Sequence, residues 1–420
     1  MFYKLLDYLN CVSFCPFYFV TPLVYGYGTS ADHILLSICK KDRNKKLIIL
    51  YPSILQSYFK YNIPNKYLLN NLIIDGIPQK RFKFLKFTLN IFINLEFIIR
   101  RFILFFFDLF KIKLSEQFRF PLVGVIPVFS NNKNYEKNRF DTNCNFSVDI
   151  ENDKKIESKN YLKSFGISEN DKFACIHVRD NLYYDDKDRR SYRNSNLENY
   201  TDLINYLIEN NYYVIRLGVK SKPYEFKNKK FLDYSKFKYK RDFLELYLIK
   251  NCSFFIGTQS GPLSVATLFN KPILFTNAVR IFESFFPLRK NNDVVIFKNM
   301  KWKKSGKKIN LNDYIQLPSE YHHFRFINEE IIFEENSSDI LKSSLINFLK
   351  NLYTRNYQLS SLQLKFNDFV KSEYFKKNLI IDKNDVLDKY FYFKTKCLLE
   401  NCKGSFCHSY LENNFDEDKY

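Results

Sequence analysis

The chain has 420 residues, a hydrophobic fraction of 46% that includes 18% aromatics, and a formal net charge of +20. This composition excludes a disordered chain and provides cores for two or three domains. The cations are spread along the whole chain, so the charge predicts no nucleic-acid partner, although a basic surface favours nucleotide phosphates and anionic lipid.

The nine cysteines are scattered and form no Cys-x-x-Cys pair. This pattern predicts reduced thiols in a cytoplasmic protein. Cys397, Cys402, Cys407 and His408 are spaced in a way that matches no common zinc pattern. We therefore expect no metal site there.

The first apolar segment, residues 8–31, carries no charge. Pro16 and Pro22 interrupt it, so it predicts a buried strand within 17–25 rather than a membrane anchor or a signal segment. A glycine loop should follow this strand.

That loop, Gly26-Tyr27-Gly28, leads into a predicted helix over 31–40. Asp32 and His33 lie in its first turn, where either side chain could act as the general base on an acceptor hydroxyl. The alternative is that Asp32 only caps the helix.

Residues 1–150 alternate between strand and helix patterns. Further strands are predicted at 47–51 and 72–74, with helices between them, which indicates a parallel, Rossmann-like sheet. The polar stretch 130–138 predicts the linker to a second domain.

The segment 80–113 mixes phenylalanine, isoleucine and leucine with eight lysines and arginines. No uncharged run in it exceeds nine residues, so it cannot span a bilayer. Its helices either cover a sheet or rest on an anionic membrane face.

Residues 151–335 repeat the alternation more clearly, which predicts a doubly wound α/β domain. Strands are expected at 173–177, 213–217, 253–256 and 272–275, and helices at 157–165, 197–210, 241–251 and 262–269. From residue 336 onward, Ser337 and Ser338 precede helical apolar spacing, so 336–420 is predicted as a mostly helical C-terminal extension.

The loop 257–262, Gly-Thr-Gln-Ser-Gly-Pro, follows one of these strands and opens a helix. Gly257 and Gly261 allow close approach of the backbone to a ligand, while Thr258, Gln259 and Ser260 offer side-chain hydrogen bonds. A helix N-terminus favours phosphate, so a diphosphate is the expected ligand. The alternative is an ordinary strand-to-helix turn with a serine cap.

The tetrapeptide His177-Val178-Arg179-Asp180 ends the strand at 173–177. In an open α/β sheet this is the edge where ligands bind. Arg179 could bind a phosphate bidentately and stay charged, while His177 could donate to the same ligand. Asp180 pairing with Arg179 would make the motif partly structural.

The loop at 185–188, Asp-Asp-Lys-Asp, contains an Asp-x-Asp pattern that could coordinate a divalent cation. It lies among several lysines and arginines, which favours a solvated charge cluster. We therefore expect no metal dependence.

The second block resembles a bacterial family of surface-carbohydrate glycosyltransferases. The matching segments, in the family's order, are 175–180, 192–200, 213–218 and 254–261, with weaker matches at 334–337 and 409–413. The His-x-Arg strand end looks like the donor site of GDP-fucose-using fucosyltransferases, and the Ser-Gly-Pro loop looks like that of heptosyltransferases.

The resemblance implies a GT-B architecture, with two Rossmann-like domains facing across a cleft and no required metal. It implies that Arg179 and the loop at Ser260 and Gly261 hold the diphosphate of a nucleotide-sugar donor, with Arg193 and Asn194 as supporting contacts. The acceptor would be a cell-surface carbohydrate or a lipid-linked glycan, and no cofactor is expected.

Two other functions stay open from the residues alone. One is a basic peripheral scaffold that binds membrane or nucleic acid without catalysis, and the other is a two-domain sugar-nucleotide epimerase. We expect a cytoplasmic glycosyltransferase that could lie on the inner membrane face, with Arg179, His177, Asp32 and His33 as the catalytic candidates.

Overall fold

The structure is a computed structural model. It describes residues 2–22, 26–41, 44–51, 65–110, 146–182, 191–219, 221–237, 240–285, 288–322, 330–377, 395, 399 and 402–417. Over these residues the chain divides into two compact units. Unit 1 comprises Met1–Lys155 and Asp242–Leu246, and unit 2 comprises Ile156–Arg241, Tyr247–Leu379 and Thr395–Tyr420. The predicted linker at 130–138 lies outside the described residues.

Unit 1 contains short strands and one long helix. Its helices are α1 (Phe2–Cys11), α2 (Tyr27–Lys40), α3 (Lys66–Asn70), α4 (Lys83–Leu109) and α5 (Asn152–Ser164), the last of which continues into unit 2. Its strands are β1 (Phe17–Val20), β2 (Lys46–Ile49), β3 (Ile73–Ile74), β4 (Ile77–Pro78) and β5 (Val148–Asp149).

The core of unit 1 forms where α1, β1, β2 and α4 bury their apolar sides against each other. Asn10 at the end of α1 joins the helix to β1, since its side chain donates to the Phe19 carbonyl at 2.8 Å and accepts from the Phe19 amide at 2.6 Å. Lys45 then donates to the Asn10 carbonyl at 2.7 Å. These bonds satisfy polar groups that burial would otherwise leave unpaired.

Two predictions for unit 1 are corrected. The strand at 72–74 was expected in the parallel sheet, but β3 pairs antiparallel with β4 and β5. Among the described residues of unit 1, only β1 and β2 pair in parallel. Helix α2 also begins at Tyr27, four residues before the predicted start, so Gly28 is helical. Glycine lowers helix propensity, which is why it suggested a longer loop.

The basic, apolar segment after residue 80 forms a 3₁₀ turn, Gln79–Phe82, and then the 27-residue helix α4. Lys86, Ile93 and Leu104 face the unit and are buried. The other side of the helix exposes large apolar side chains, so of the two alternatives that the sequence left open, this helix does not only cover a sheet. No helix among the described residues is long and apolar enough to cross a membrane.

Unit 2 is built on a large parallel sheet. Its further helices are α6 (Thr201–Glu209), α7 (Asp242–Asn251), α8 (Gly261–Leu268), α9 (Leu311–Gln316), α10 (Ser338–Tyr353), α11 (Ser361–Lys376) and α12 (His408–Asn414). The first residues of α7, Asp242–Leu246, cluster with unit 1. Its strands are β6 (Phe173–His177), β7 (Tyr213–Arg216), β8 (Phe231–Asp233), β9 (Phe255–Gly257), β10 (Ile273–Ala278), β11 (Val294–Phe297), β12 (Asn299–Trp302), β13 (Lys308–Ile309), β14 (Ile331–Glu334) and β15 (Ser405–Phe406).

The seven strands of this sheet lie in the order β15-β11-β10-β9-β6-β7-β8, and all neighbours pair in parallel. Numbered by their sequence within the sheet, the first six strands follow the doubly wound order 3-2-1-4-5-6, and β15 adds a seventh beside the sixth. The order reverses between β6 and β9, so these two strands flank the topological switch point. The predicted mixed α/β fold with a large parallel sheet is confirmed for this unit.

The four predicted strands of unit 2 all form, within three residues at each end. Two sheet strands between residues 173 and 335 were missed, β8 and β11, as was the small antiparallel sheet in the order β13-β12-β14. The predicted helix at 197–210 begins as a 3₁₀ turn, Leu197–Tyr200, before α6.

The segment 336–420 was predicted as a mostly helical C-terminal extension. The described part of it is mostly helical, but it clusters with unit 2 and supplies β15, which pairs with β11. Helix α10 packs against α6 and β10. Two residues make a strand too short to produce a periodic pattern, so the sequence carried no signal for it.

Candidate functional site

Strands β6 and β9 end side by side at the switch point, where His177 pairs with Gly257. Ligands of open α/β sheets bind in the crevice beyond the carboxyl ends of such strands. The two loops singled out from the sequence, at 177–180 and 257–262, therefore start from adjacent positions on the same edge of the sheet.

Gly257 has no room for a side chain. A Cβ atom there would lie 2.9 Å from the His177 carbonyl oxygen and 2.7 Å from Cε1 of Phe255. The Thr258 amide donates to the same carbonyl at 3.1 Å, and its Oγ1 accepts from the Arg179 amide at 2.9 Å. Glycine is required because the two strand ends approach closely, and threonine then bonds one loop to the other.

Helix α8 begins directly after this contact. Ser260 stands at its N-cap, but the Ser260 hydroxyl donates to the Thr258 carbonyl at 3.0 Å and does not cap the helix. The serine cap considered from the sequence is therefore not formed. The amides that open a helix have no partner within the helix, so this end of α8 retains donors and a partial positive charge.

Arg179 lies two residues beyond β6 and is only 6% exposed. Its guanidinium Nη1 donates to Oδ1 of Asn194, and its carbonyl accepts from the Ser195 amide at 2.8 Å. Asn194 and Arg193 were predicted as supporting contacts, and both are half-buried here. Arg179 thus fixes the turn that carries Arg193.

Two further cations hold the same turn, Ser191–Arg193. Arg280 donates to the Tyr192 hydroxyl, from Nε at 3.0 Å and from Nη2 at 2.5 Å. Lys298 donates to the carbonyls of Tyr192 at 3.1 Å and Asn194 at 2.6 Å. Arg179, Arg280 and Lys298 come from the ends of β6, β10 and β11, so three strands of the sheet converge on one turn.

The surroundings of Lys298 and Arg280 shift the pKa values of both side chains. Burial lowers the pKa of Lys298 to about 8, with Glu335 opposing the shift and Arg179 adding to it. Burial also opposes the charge of Arg280, but Glu283 and Tyr192 outweigh it and raise the pKa of Arg280. Buried charge held beside a crevice is a feature of functional sites as well as of structural networks.

Arg280 and Lys298 were missed from the sequence, although a signal for Arg280 was present. Arg179 follows β6 as Val178-Arg179, and Arg280 follows β10 as Val279-Arg280. Lys298 directly follows β11, a strand that was not predicted. A cation within three residues of a buried parallel strand is the pattern that all three share.

Nδ1 of His177 and Oε1 of Gln259 are among the buried polar atoms at this edge that bond to no other described residue. The amide nitrogen of Gln259 donates to Glu283 at 3.1 Å, which holds the side chain in place. Buried polar atoms are almost always satisfied, so these two indicate where a ligand or ordered water would bond.

Comparison with known proteins gives little further information. No protein-family model matches the sequence, and no curated protein is similar to it. Among solved structures, E. coli ADP-heptose LPS heptosyltransferase II superimposes with a TM-score of 0.33 at 12% identity, covering 61% of this chain and 83% of that chain. A likeness of this size carries no argument. The site must be judged on its own geometry.

The ionisation of His177 is set by its position. Burial lowers the pKa of His177 to about 4; Arg216 and Arg179 add to the shift and Asp180 opposes it. The imidazole is therefore neutral at pH 7, and it can bond to a ligand through one protonated and one unprotonated nitrogen but cannot act as a cation.

This lowered pKa predicts a pH effect on stability. As the pH falls below 6.5, the unfolded chain takes up a proton on His177, while the folded chain does so only near pH 4. The contribution of neutral His177 to the free energy of unfolding is complete above pH 6.5. We expect this contribution to decline by at most about 3 kcal/mol as the pH falls to 4. The measurement is urea unfolding of the wild type and of His177→Gln at several pH values. A stability difference that does not change with pH would contradict the prediction.

The other sequence candidates are placed as follows. Asp32 and His33 lie in the first half of α2 in unit 1 and are 6% and 0% exposed, so their catalytic role stays a prediction. Asp180 accepts the amides of Leu182 at 3.0 Å and Lys222 at 2.6 Å. The loop at 185–188 lies outside the described residues. In the part of the chain that is described, no three His, Cys, Asp or Glu side chains group as a metal site would require.

Proposed function

We propose that the chain is a glycosyltransferase that transfers a sugar from a nucleotide diphospho-sugar to a carbohydrate or lipid-linked glycan acceptor. The observation that carries the proposal is the junction of His177 and Gly257 at the switch point, with the uncapped start of α8 beside it. This combination of a close backbone approach and free helix amides suits a diphosphate.

The charge of the edge supports the same ligand. Four of the five adjacent strands β7, β6, β9, β10 and β11 have a cation at or just beyond their carboxyl ends: Arg216 on β7, Arg179 after β6, Arg280 after β10 and Lys298 after β11. Arg216 is paired with Asp233 at 3.0 Å and Arg280 with Glu283 at 3.0 Å. These two ion pairs offset part of the positive charge, and we propose that Arg179 and Lys298 attract the anionic ligand.

In the proposed reaction, negative charge grows on the leaving diphosphate as the bond to the anomeric carbon breaks. Arg179 and the amides that open α8 would stabilise this charge, and neutral His177 would hydrogen-bond the donor through Nδ1. Because the chain supplies the positive charge, we propose that transfer needs no metal. The acceptor hydroxyl would lose its proton to Asp32, His33 or another base of unit 1.

The experiment that tests the function is incubation with UDP-, GDP-, ADP- and CMP-sugars, with and without EDTA, followed by mass spectrometry. Slow hydrolysis of one donor, unaffected by EDTA, is the result expected of a transferase without its acceptor. Conversion of the donor sugar without release of the nucleotide would indicate the epimerase. No reaction with any donor, together with salt-dependent RNA binding, would favour the scaffold.

A point variant tests the role of the helix start. Ser260 has a φ of −156°, which proline cannot adopt, so Ser260→Pro would disturb the backbone as well as remove a donor. Gly261 is the first helical residue, where the fixed φ of proline suits a helix, so Gly261→Pro removes the Gly261 amide and disturbs the backbone less than Ser260→Pro.

We expect Gly261→Pro to weaken nucleoside diphosphate binding about tenfold in calorimetry, because a charge-assisted hydrogen bond contributes roughly 1.5–3 kcal/mol. The matching nucleoside is the control, since without phosphates it should bind the variant and the wild type equally. If the wild type and Gly261→Pro bind the nucleoside diphosphate with equal affinity, the start of α8 does not contact the phosphates.

A further inference from the structure

Helix α4 in unit 1 has a wide apolar face that the described residues of the unit leave exposed. Eleven of its apolar residues are each at least 43% exposed. The most exposed are Phe84 at 83% and Phe87, Phe102, Phe105 and Leu109 at 65% each. Monomeric soluble proteins rarely leave a continuous patch of this kind, so the face indicates an interaction surface.

The exposed positions form one arc. At 3.6 residues per turn they span about 140° of the helix circumference, and the arc contains no charged residue. The only polar residue within it is Thr88, whose hydroxyl donates back to the Phe84 carbonyl at 3.2 Å. The face is therefore apolar along about 40 Å, the length of a 27-residue helix.

The charged residues of α4 lie off this arc, and Lys86, Glu96 and Arg100 have partners in unit 1. Lys86 is buried and donates to the Leu69 carbonyl at 3.1 Å. Glu96 accepts from Arg100 at 2.6 Å and from the Tyr3 amide at 3.0 Å. These contacts fix the rotation of α4 about its own axis, and in this orientation the apolar face points away from the unit.

The N-terminal end of the apolar arc, at the start of α4, is flanked by positively charged residues. Lys80, Arg81 and Lys83 are exposed at the start of α4, and no acidic residue follows before Glu96. Lys80 also pairs with Glu151 at 2.6 Å, yet 61% of its side chain is exposed. An apolar face with cations at its margin matches the two parts of an anionic bilayer surface, acyl chains and phosphate headgroups.

We propose that α4 lies in the surface of an anionic lipid bilayer, parallel to its plane, with the arc from Phe84 to Leu109 in the acyl region. A second copy of the chain fits less well, because a paired helix covers the narrow seam of a coiled coil and not an arc of about 140°. Its net charge of +20 would also repel an identical chain. The proposal stands independently of the proposed function.

The test is co-sedimentation of the full chain with vesicles of phosphatidylcholine, with and without phosphatidylglycerol. We expect binding to the anionic vesicles at low salt and weaker binding at high salt, since screening weakens the headgroup contacts. The double variant Phe87→Ser, Phe102→Ser should bind at least about tenfold less, because two anchoring rings are removed. Circular dichroism should be unchanged, since both rings are exposed in the fold.

A matched control is Leu364→Ser, which removes an apolar side chain of unit 2 that is 51% exposed. It should bind vesicles like the wild type. The proposal is overturned if the wild type does not sediment with anionic vesicles, or if the double variant binds as well as the wild type. It is also overturned if light scattering shows a dimer that the double variant dissociates, because a second copy then covers the face.

Discussion

Turnover of the nucleotide-sugar donor should fall by roughly 10²–10³ when Arg179 is replaced by alanine, since this is the usual cost of removing one preorganised donor to a developing anion. The fold should persist, because Thr258 still bonds to the backbone amide of residue 179. The measurement is the steady-state rate of the donor identified in the sugar-nucleotide panel, together with the unfolding curve of the variant.

Two controls separate charge from position. Arg355→Ala removes an exposed arginine of unit 2 and should leave the rate unchanged. Asn194→Ala removes the partner of the guanidinium but keeps the charge, so we expect a loss of only about tenfold. If Asn194→Ala is as damaging as Arg179→Ala, the arginine acts by holding the turn. If the folded Arg179→Ala protein turns over normally, Arg179 has no part in transfer.

Gly257→Ala is expected to damage both stability and the site. The added methyl group meets the His177 carbonyl oxygen at 2.9 Å, and a backbone atom cannot move aside as a flexible side chain can. We expect a loss of about 1–3 kcal/mol in the free energy of unfolding, as for overpacked cores. Nucleoside diphosphate affinity should fall by about tenfold or more, because the two loops separate. Urea unfolding and calorimetry on the same protein test both effects.

The matched control is Gly306→Ala. Gly306 has a φ of +69° and no neighbour within 4 Å of a Cβ, so alanine there costs backbone strain of about 1 kcal/mol without any steric contact. This variant should be less stable than the wild type but bind the nucleotide normally. Loss of binding in both glycine variants would mean that the effect is general destabilisation and not the junction of the two strands.

The sheet around the switch point could be predicted because its sequence signals are local. Strand β6 is a run of buried apolar residues, and β9 ends at a glycine that precedes a serine and a proline. Burial, turn chemistry and helix start all favour the same structure here. Hence the sequence alone predicts the loops at 177–180 and 257–262 at the carboxyl ends of buried strands.

The network behind these loops could not be predicted, because it depends on contacts between distant residues. Asn277 has a φ of +52° within β10, where the register with β11 shifts. Its side chain accepts from the Asn336 amide at 3.0 Å and donates to the Tyr200 hydroxyl at 3.2 Å. No sequence spacing reveals hydrogen bonds between such distant residues. Asn277 precedes Arg280 by three residues, so these bonds lie next to the site.

Unit 1 was predicted less well for a different reason. Its strands β3, β4 and β5 have two residues each, which is too short for an alternating pattern to distinguish parallel from antiparallel pairing. The amphipathic character of α4 was visible in the sequence, but not the direction of its apolar face. That direction depends on Glu96 and Arg100, whose contacts with Tyr3 involve another helix.

Strand β15 lies at the rim of the sheet and is the last of its seven strands to be synthesised. Strand β11 ends at Phe297 and β15 begins at Ser405, so the ribosome adds about 110 residues between them, which takes roughly 5–20 s. During that interval the outer edge of β11 has no strand to pair with, and unpaired edges recruit other chains. The nascent protein is therefore most vulnerable to aggregation after six strands of its main sheet have been made and before the seventh arrives.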